Sequence, residues 1–231
     1  MPTIFNWYTT GSPYEEVAKR NALSFAIAES ESNSYAIEGG ESWVKNCALK
    51  PTVCLALINT IPEGHGLWLL DADAEIINKP DFRGYNNTTA PYFSYVLHYR
   101  PSGAREVLSG TLWITNTPEC KTLLANWQDM CQANPDIWDQ KILSKIVSAT
   151  TPIRGKEPLQ ISELDWRWAW ISGISDPGLE KNAYIRHNQM SKSISKEQQY
   201  TPISIPITVL EPGPIVVLEE PVKERKKKHK Q

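Results

Sequence analysis

Asp71, Asp73 and Glu75 stand two residues apart at the end of the run "GLWLLDADAE". An apolar stretch that ends in alternating carboxylates reads as a buried strand delivering its last side chains into a cleft. Acids so close repel one another, and a bound cation would relieve that repulsion. On an extended strand, side chains two residues apart project to one side, so Asp71 and Asp73 can meet a single ion. The chemistry open to such a pair is that of a hard divalent cation, which takes oxygen ligands and bridges phosphates.

The elements that must hold these acids can be traced along the chain. "TIFNWYT" alternates as a first strand. "TGSPYEEVAKRNALSFAIAES" opens a helix with Ser12 as N-cap, Pro13 in the first turn and Glu15 closing a capping box. Tyr14, Ala18, Ala22 and Phe25 then fall on one helical face. "SYAIEG" is a short strand, and helical pieces flank Lys50-Pro51. "GLWLL" follows as the next strand. "PYFSYVLHY" and "TLWITN" read as strands. "TPECKTLLANWQDMC" reads as a helix with a stripe of Cys120, Leu123, Leu124, Trp127 and Cys131, and "DIWDQKILSKIV" as a shorter one. Strands alternating with helices imply an α/β domain with a doubly wound, mainly parallel sheet. Ligands bind such sheets beyond the C-terminal strand ends, where "YTTGSP" and "DADAE" both fall.

The totals bound the class. With 231 residues, 41% hydrophobic and 22% charged, the chain suits one well-buried domain. No apolar run approaches the ~20 residues of a membrane span. The start "MPTIFNWYTT" has no signal-peptide character, so a cytoplasmic protein is expected, in the host cytoplasm if the source is viral. The four cysteines form no CxxC pair and suit packed thiols. Residues 222–231, "VKERKKKHKQ", carry a charge of +5 on a chain of net −2, so the body is acidic and the end basic. Residues 200–231 are Pro-rich and read as a disordered tail after a catalytic domain over 1–199.

Taken in order, "YTTGSPYEEVAKRNAL", "KP" before an apolar helix, "LWLLDADAEI", "SGTLWITNTPE", "LLANW", "WDQKIL" and "IRHNQMSKS" resemble the nucleotide-diphospho-sugar glycosyltransferases of the GT-A fold. A more distant similarity is to their glycogenin-like, retaining branch. The resemblance implies transfer of a sugar from a nucleotide-diphosphate donor, a UDP-sugar, with Mn²⁺ or Mg²⁺. Tyr8, Thr9 and Thr10 would face the nucleoside. Asp71 and Asp73 match the family's D-x-D, and His187 a histidine that completes the metal shell. Lys192 would lie near the diphosphate. Asp139 and Gln140 match a pair beside the donor sugar, and Ser109, Gly110 and Thr111 a small-residue strand lining the sugar pocket. Ser109 stands where related enzymes often have Asn, which bears on the donor sugar. The acceptor would be a glycan, a protein or hydroxymethylated bases in DNA, the last suggested by the basic residues 223–230.

Plainer explanations stand beside these. His187 suits an ordinary loop, and Asp139 suits a helix first turn. Glu75 reads as a structural acid, and "DWRWAW" as core aromatics or an acceptor platform. Two other function classes fit parts of the sequence. Metal-dependent phosphoryl-transfer enzymes also use D-x-D, but those with an aspartate nucleophile place it on the first strand. A Trp-rich nucleic-acid or glycan-binding module would explain the tail and aromatics while leaving the carboxylates without a purpose.

Overall fold

Strand β3, Gly66–Leu70, is buried at every position and is the axis of the molecule. In the computed structural model, which describes residues 3–39, 42–85, 91–99, 103–149 and 160–190, it lies within a six-stranded sheet. The other strands are β1 (Thr3–Thr9), β2 (Ser32–Ile37), β5 (Phe93–Tyr99), β6 (Arg105–Thr115) and β7 (Ile161–Leu164), in the order β2-β1-β3-β6-β5-β7. The β1–β2, β1–β3 and β5–β7 pairs are parallel, and β6 runs antiparallel to both its neighbours. The sheet is therefore mixed and mainly parallel, the α/β architecture that the strand–helix alternation predicts.

Both faces are covered, and period-2 alternation divides β3 between them. Leu67 and Leu69 enter a core with Leu57, Phe93, Leu124 and Trp127, beneath helices α3 (Lys50–Ile58), α4 (Pro118–Ala133) and α5 (Asp139–Ala149). Trp68 and Leu70 enter the opposite core with Ile4, Phe25, Trp113 and Trp168. Trp168 stacks on Trp68, centroids 4.1 Å apart and planes 8° from parallel, so within "DWRWAW" Trp168 and Trp170 are buried aromatics. Gly66 makes room for this cluster: a Cβ there would fall 2.1 Å from Trp113 Cζ2. Cys120 and Cys131 are buried free thiols on the packed face of α4.

Helix α1 (Pro13–Ala22) is shorter than the sequence pattern suggests and tightens into a 3-10 turn over Leu23–Ala28. Ser12 Oγ accepts from Tyr14 N, while Glu15 Oε2 takes the Gly11 amide, one residue before the cap that a capping box would reach. α2 (Trp43–Ala48) is capped by Ser42. A second, three-stranded sheet joins β4 (Ala74–Ile76), β9 (Ile185–His187) and β8 (Trp170–Ile171) in the order β4-β9-β8. Its register sets Ala74 opposite His187, which brings the end of the described chain to the acids after β3. No helix among the described residues is long and apolar enough to cross a membrane.

Candidate active site

Three irregularities build the site. The first is the end of β3. Asp71 and Asp73 do not extend the strand: Ala74 N donates to Asp71 O at 3.0 Å, folding residues 71–74 into a turn before β4. The expectation that both carboxylates project to one side of an extended strand is therefore corrected. The turn sends Asp71 toward β1 and α3, and Asp73 toward β9.

The second irregularity is a bulge. Between Tyr95 and Val96 of β5 the partner on β6 jumps from Leu112 to Leu108. Residues 109–111 consequently have no partner on β5, and bulges of this kind re-aim side chains beside active sites. Ser109 is buried against α3 and α5. Gly110 lies directly beneath the acids, its carbonyl accepting from Asp71 N at 2.9 Å. A Cβ on Gly110 would stand 2.7 Å from His187 Cε1, 3.1 Å from His187 Nδ1 and 3.2 Å from Asp71 Oδ2. The missing side chain is what lets imidazole and carboxylate approach each other there.

The third is a buried cation that the sequence reading did not single out as a site residue. Lys50 is 4% exposed, and its Nζ lies 2.9 Å from Asp71 Oδ1 and 3.3 Å from Asp139 Oδ2. It also donates to Ser109 Oγ at 2.9 Å and Ser109 O at 3.1 Å. Ser109 Oγ donates onward to Asp139 Oδ2 at 2.8 Å. Burial by itself would lower the ammonium pKa, but the carboxylates of Asp139 and Asp71 outweigh it and hold the pKa above its ordinary value. A signal was present: Lys50 is the only charged residue between Asn46 and Pro62, and a lone cation in so apolar a stretch has to find an acid. Trp7 carried no such signal, yet its Nε1 donates to Asp71 Oδ1 at 3.1 Å.

Asp73 has different partners. Its Oδ2 accepts from Met190 N at 3.2 Å, and its Oδ1 lies 3.5 Å from His187 Nδ1. His187 is held from its other side by Thr111, Oγ1 to Nε2 2.9 Å. Desolvation pushes the Asp73 carboxyl pKa up, but the hydrogen bond and charge of His187 and the Met190 amide bring it below the ordinary value. Asp71 differs: desolvation and the nearby Asp73 raise its pKa more than Lys50 lowers it. Burial, more than the neighbouring acid, is thus what penalises the charged form of Asp71.

These donors are of the type that holds a hard divalent cation: an imidazole and one carboxylate beside Gly110, and a second carboxylate on the other side of the imidazole. Among the described residues no three His, Cys, Asp or Glu side chains are gathered tightly enough to ligate one ion as they stand. Lys50 and Trp7 hold Asp71 to one side, and Met190 and His187 hold Asp73 to the other.

Beside the acids opens a cleft of about 130 Å³ lined by Trp7, Tyr8, Thr9, Tyr14, Trp43 and Cys47 together with Lys50, Asp71 and Asp73. Tyr8 and Thr9 reach this cleft from the end of β1, and Thr10 lies exposed in the following turn. Tyr14 Oη is buried without a hydrogen-bond partner among the described residues. Trp43 is braced edge-on by Trp138 at 5.5 Å. Asp139, 3% exposed, begins α5, and Gln140 Oε1 accepts from Ser109 N at 3.4 Å. The structure therefore brings together Asp71, Asp73, Ser109, Gly110, Asp139, Gln140 and His187. Lys192 and the tail lie outside the described residues.

The same arrangement of sheets and helices occurs in a solved glycosyltransferase involved in glycosylation of the major capsid of PBCV-1. The TM-score is 0.63 at 14% identity, over 86% of this chain and 97% of that one. The fold is that of solved glycosyltransferases. The glycosyltransferase GlyE of Streptococcus pneumoniae TIGR4 matches with a TM-score of 0.55 and 14% identity over 88% of this chain, which spans 57% of that longer protein. Mouse xyloside xylosyltransferase 1 matches at 0.50 and 13% identity, over 84% of this chain and 99% of that one. No protein-family model and no curated protein matches the sequence. The likeness at these identities is one of fold.

Proposed function

We propose that this chain is a metal-dependent glycosyltransferase that moves a sugar from a nucleotide-diphosphate sugar, a UDP-sugar, to a glycan hydroxyl. The observation that carries the reading is the placing of His187 between the two acids, 3.5 Å from Asp73 and facing Asp71 across Gly110, beside an aromatic cleft on a glycosyltransferase fold. The donor nucleoside would lie against Tyr8, Thr9 and Tyr14. Asp71, Asp73 and His187 would hold Mn²⁺ or Mg²⁺, which when bound supplies Lewis-acid stabilisation of the charge gathering on the departing diphosphate.

The chain's own residues set the geometry. Lys50 and Trp7 fix Asp71, the Met190 amide fixes Asp73, and Thr111 fixes the ring of His187. Asp139 is committed to Lys50 and Ser109, so it acts as a positioning residue rather than as a nucleophile. Gln140 is the member of that pair that would face the donor sugar. Retention of anomeric configuration follows from the resemblance to the glycogenin-like branch and is part of the same proposal.

The test is a panel of nucleotide sugars offered to the full chain with and without Mn²⁺, reading binding and slow hydrolysis. Mn²⁺-dependent binding of a UDP-sugar is expected; indifference to every nucleotide sugar would overturn the reading. The +5 charge of residues 222–231 favours a second acceptor, hydroxymethylated DNA. Transfer to it would fall steeply with salt, whereas transfer to a neutral glycan would not.

A further inference from the structure

A second concavity, with a lining distinct from that of the aromatic cleft, lies against the acid-bearing turn. It has a volume of about 480 Å³ and is lined by Arg20, Asn21, Leu23, Glu75, Arg186 and Asn188, within the ~300–1,000 Å³ of small-molecule sites. None of these residues belongs to the donor machinery described above. Two of them are nevertheless tied to it: Asn21 Nδ2 donates to Ala72 O at 3.2 Å, and Asn188 Nδ2 lies 3.4 Å from Asp73 O. The floor of the groove is thus the back of the turn that carries Asp71 and Asp73.

Its chemistry is specific. Arg186 donates to Glu75 at 2.6 Å and to Glu180 at 2.7 Å, a three-residue network with one negative charge in excess. Arg20, also in the lining, adds a positive charge and acts on Glu75 through space. Glu180 lies behind Arg186 rather than in the lining, and with it the four charges sum to zero, which disfavours a phosphate or carboxylate ligand. The groove offers planar donors and acceptors side by side: the guanidinium groups of Arg20 and Arg186, the Glu75 carboxylate and the Asn188 carboxamide. At its lip Leu23 is 79% exposed, an apolar surface that no described residue covers. Alternating donors and acceptors around an apolar contact suit a ligand with vicinal hydroxyls on one edge and C–H groups on its face.

We propose that this groove binds a neutral saccharide unit, remote from the reacting hydroxyl, of the acceptor glycan. This rests on the transferase reading for the word acceptor, while the binding itself does not.

The experiment uses the full chain and saturation-transfer NMR with lactose, xylobiose and maltotriose as neutral probes, and with glucuronate and inorganic phosphate as anionic ones. At least one neutral probe is expected to bind, and Arg20→Ser and Leu23→Ser should each weaken it about tenfold. Both positions are exposed, so folding is expected to survive, and UDP-sugar binding should be unchanged in both variants. Binding of the anions alone, absence of any saccharide signal, or saccharide binding indifferent to both substitutions would overturn the proposal. Saccharide binding without nucleotide-sugar binding would sink the transferase reading and leave the groove; the reverse would sink the groove alone.

Discussion

Lys50 Nζ bridges Asp71 and Asp139, 2.9 Å from one carboxylate and 3.3 Å from the other. One ammonium thus ties the acid after β3 to the first residue of α5, two elements far apart in the chain. Lys50→Met leaves both carboxylates without their cation, and breaking a buried pair this way costs about 3 to 5 kcal/mol. Urea unfolding should show that loss, and adding Asp139→Asn should restore part of it. Equal stability of Lys50→Met and wild type would mean that the bridge is not formed.

Gly110 is expected to be intolerant for a reason unrelated to backbone strain. Its Cβ would meet the His187 ring at 2.7 Å, and moving the ring would strain its hydrogen bond with Thr111. Gly110→Ala should push the imidazole away from Asp71 and weaken Mn²⁺ binding at least about tenfold. Titration calorimetry with Mn²⁺ and UDP reads this directly, and unchanged affinity would remove His187 from the metal shell.

Chelation should abolish sugar transfer, and Asp73→Ala should reduce it by at least about a hundredfold while the fold persists. Circular dichroism controls for the fold, and transfer of labelled sugar provides the readout. Full turnover in excess chelator would end the metal assignment.

The Glu75–Arg186 pair predicts an acid-side loss of stability. Desolvation raises the Glu75 carboxyl pKa, but its hydrogen bond and charge pairing with Arg186 take it below the ordinary 4.5. A depressed folded-state pKa contributes stability above the unfolded value, and that contribution disappears as pH falls through the folded one. Wild type and Glu75→Gln should therefore differ most in thermal midpoint above about pH 5 and converge as pH falls through the lowered folded-state pKa. A gap that widens on acidification would contradict the assignment.

What the residues determined by themselves was the local grammar. Alternation marked β1, an unbroken apolar run marked β3, Ser12-Pro13 marked a helix start, and the acids after "GLWLL" marked the strand end where a ligand belongs. Such signals are short-range and follow from periodicity and capping, so one stretch of chain carries each of them. What only the tertiary structure decided was how distant stretches meet. The bulge that frees residues 109–111, the register that sets His187 opposite Ala74, and the turn that parts Asp71 from Asp73 all depend on strand pairing. Pairing partners are chosen by the packing of the whole sheet, because a one-residue slip would reverse every buried face. Lys50 lies between these cases. Its isolation in an apolar stretch announced that it would need an acid, and only the fold could say that the acids are Asp71 and Asp139.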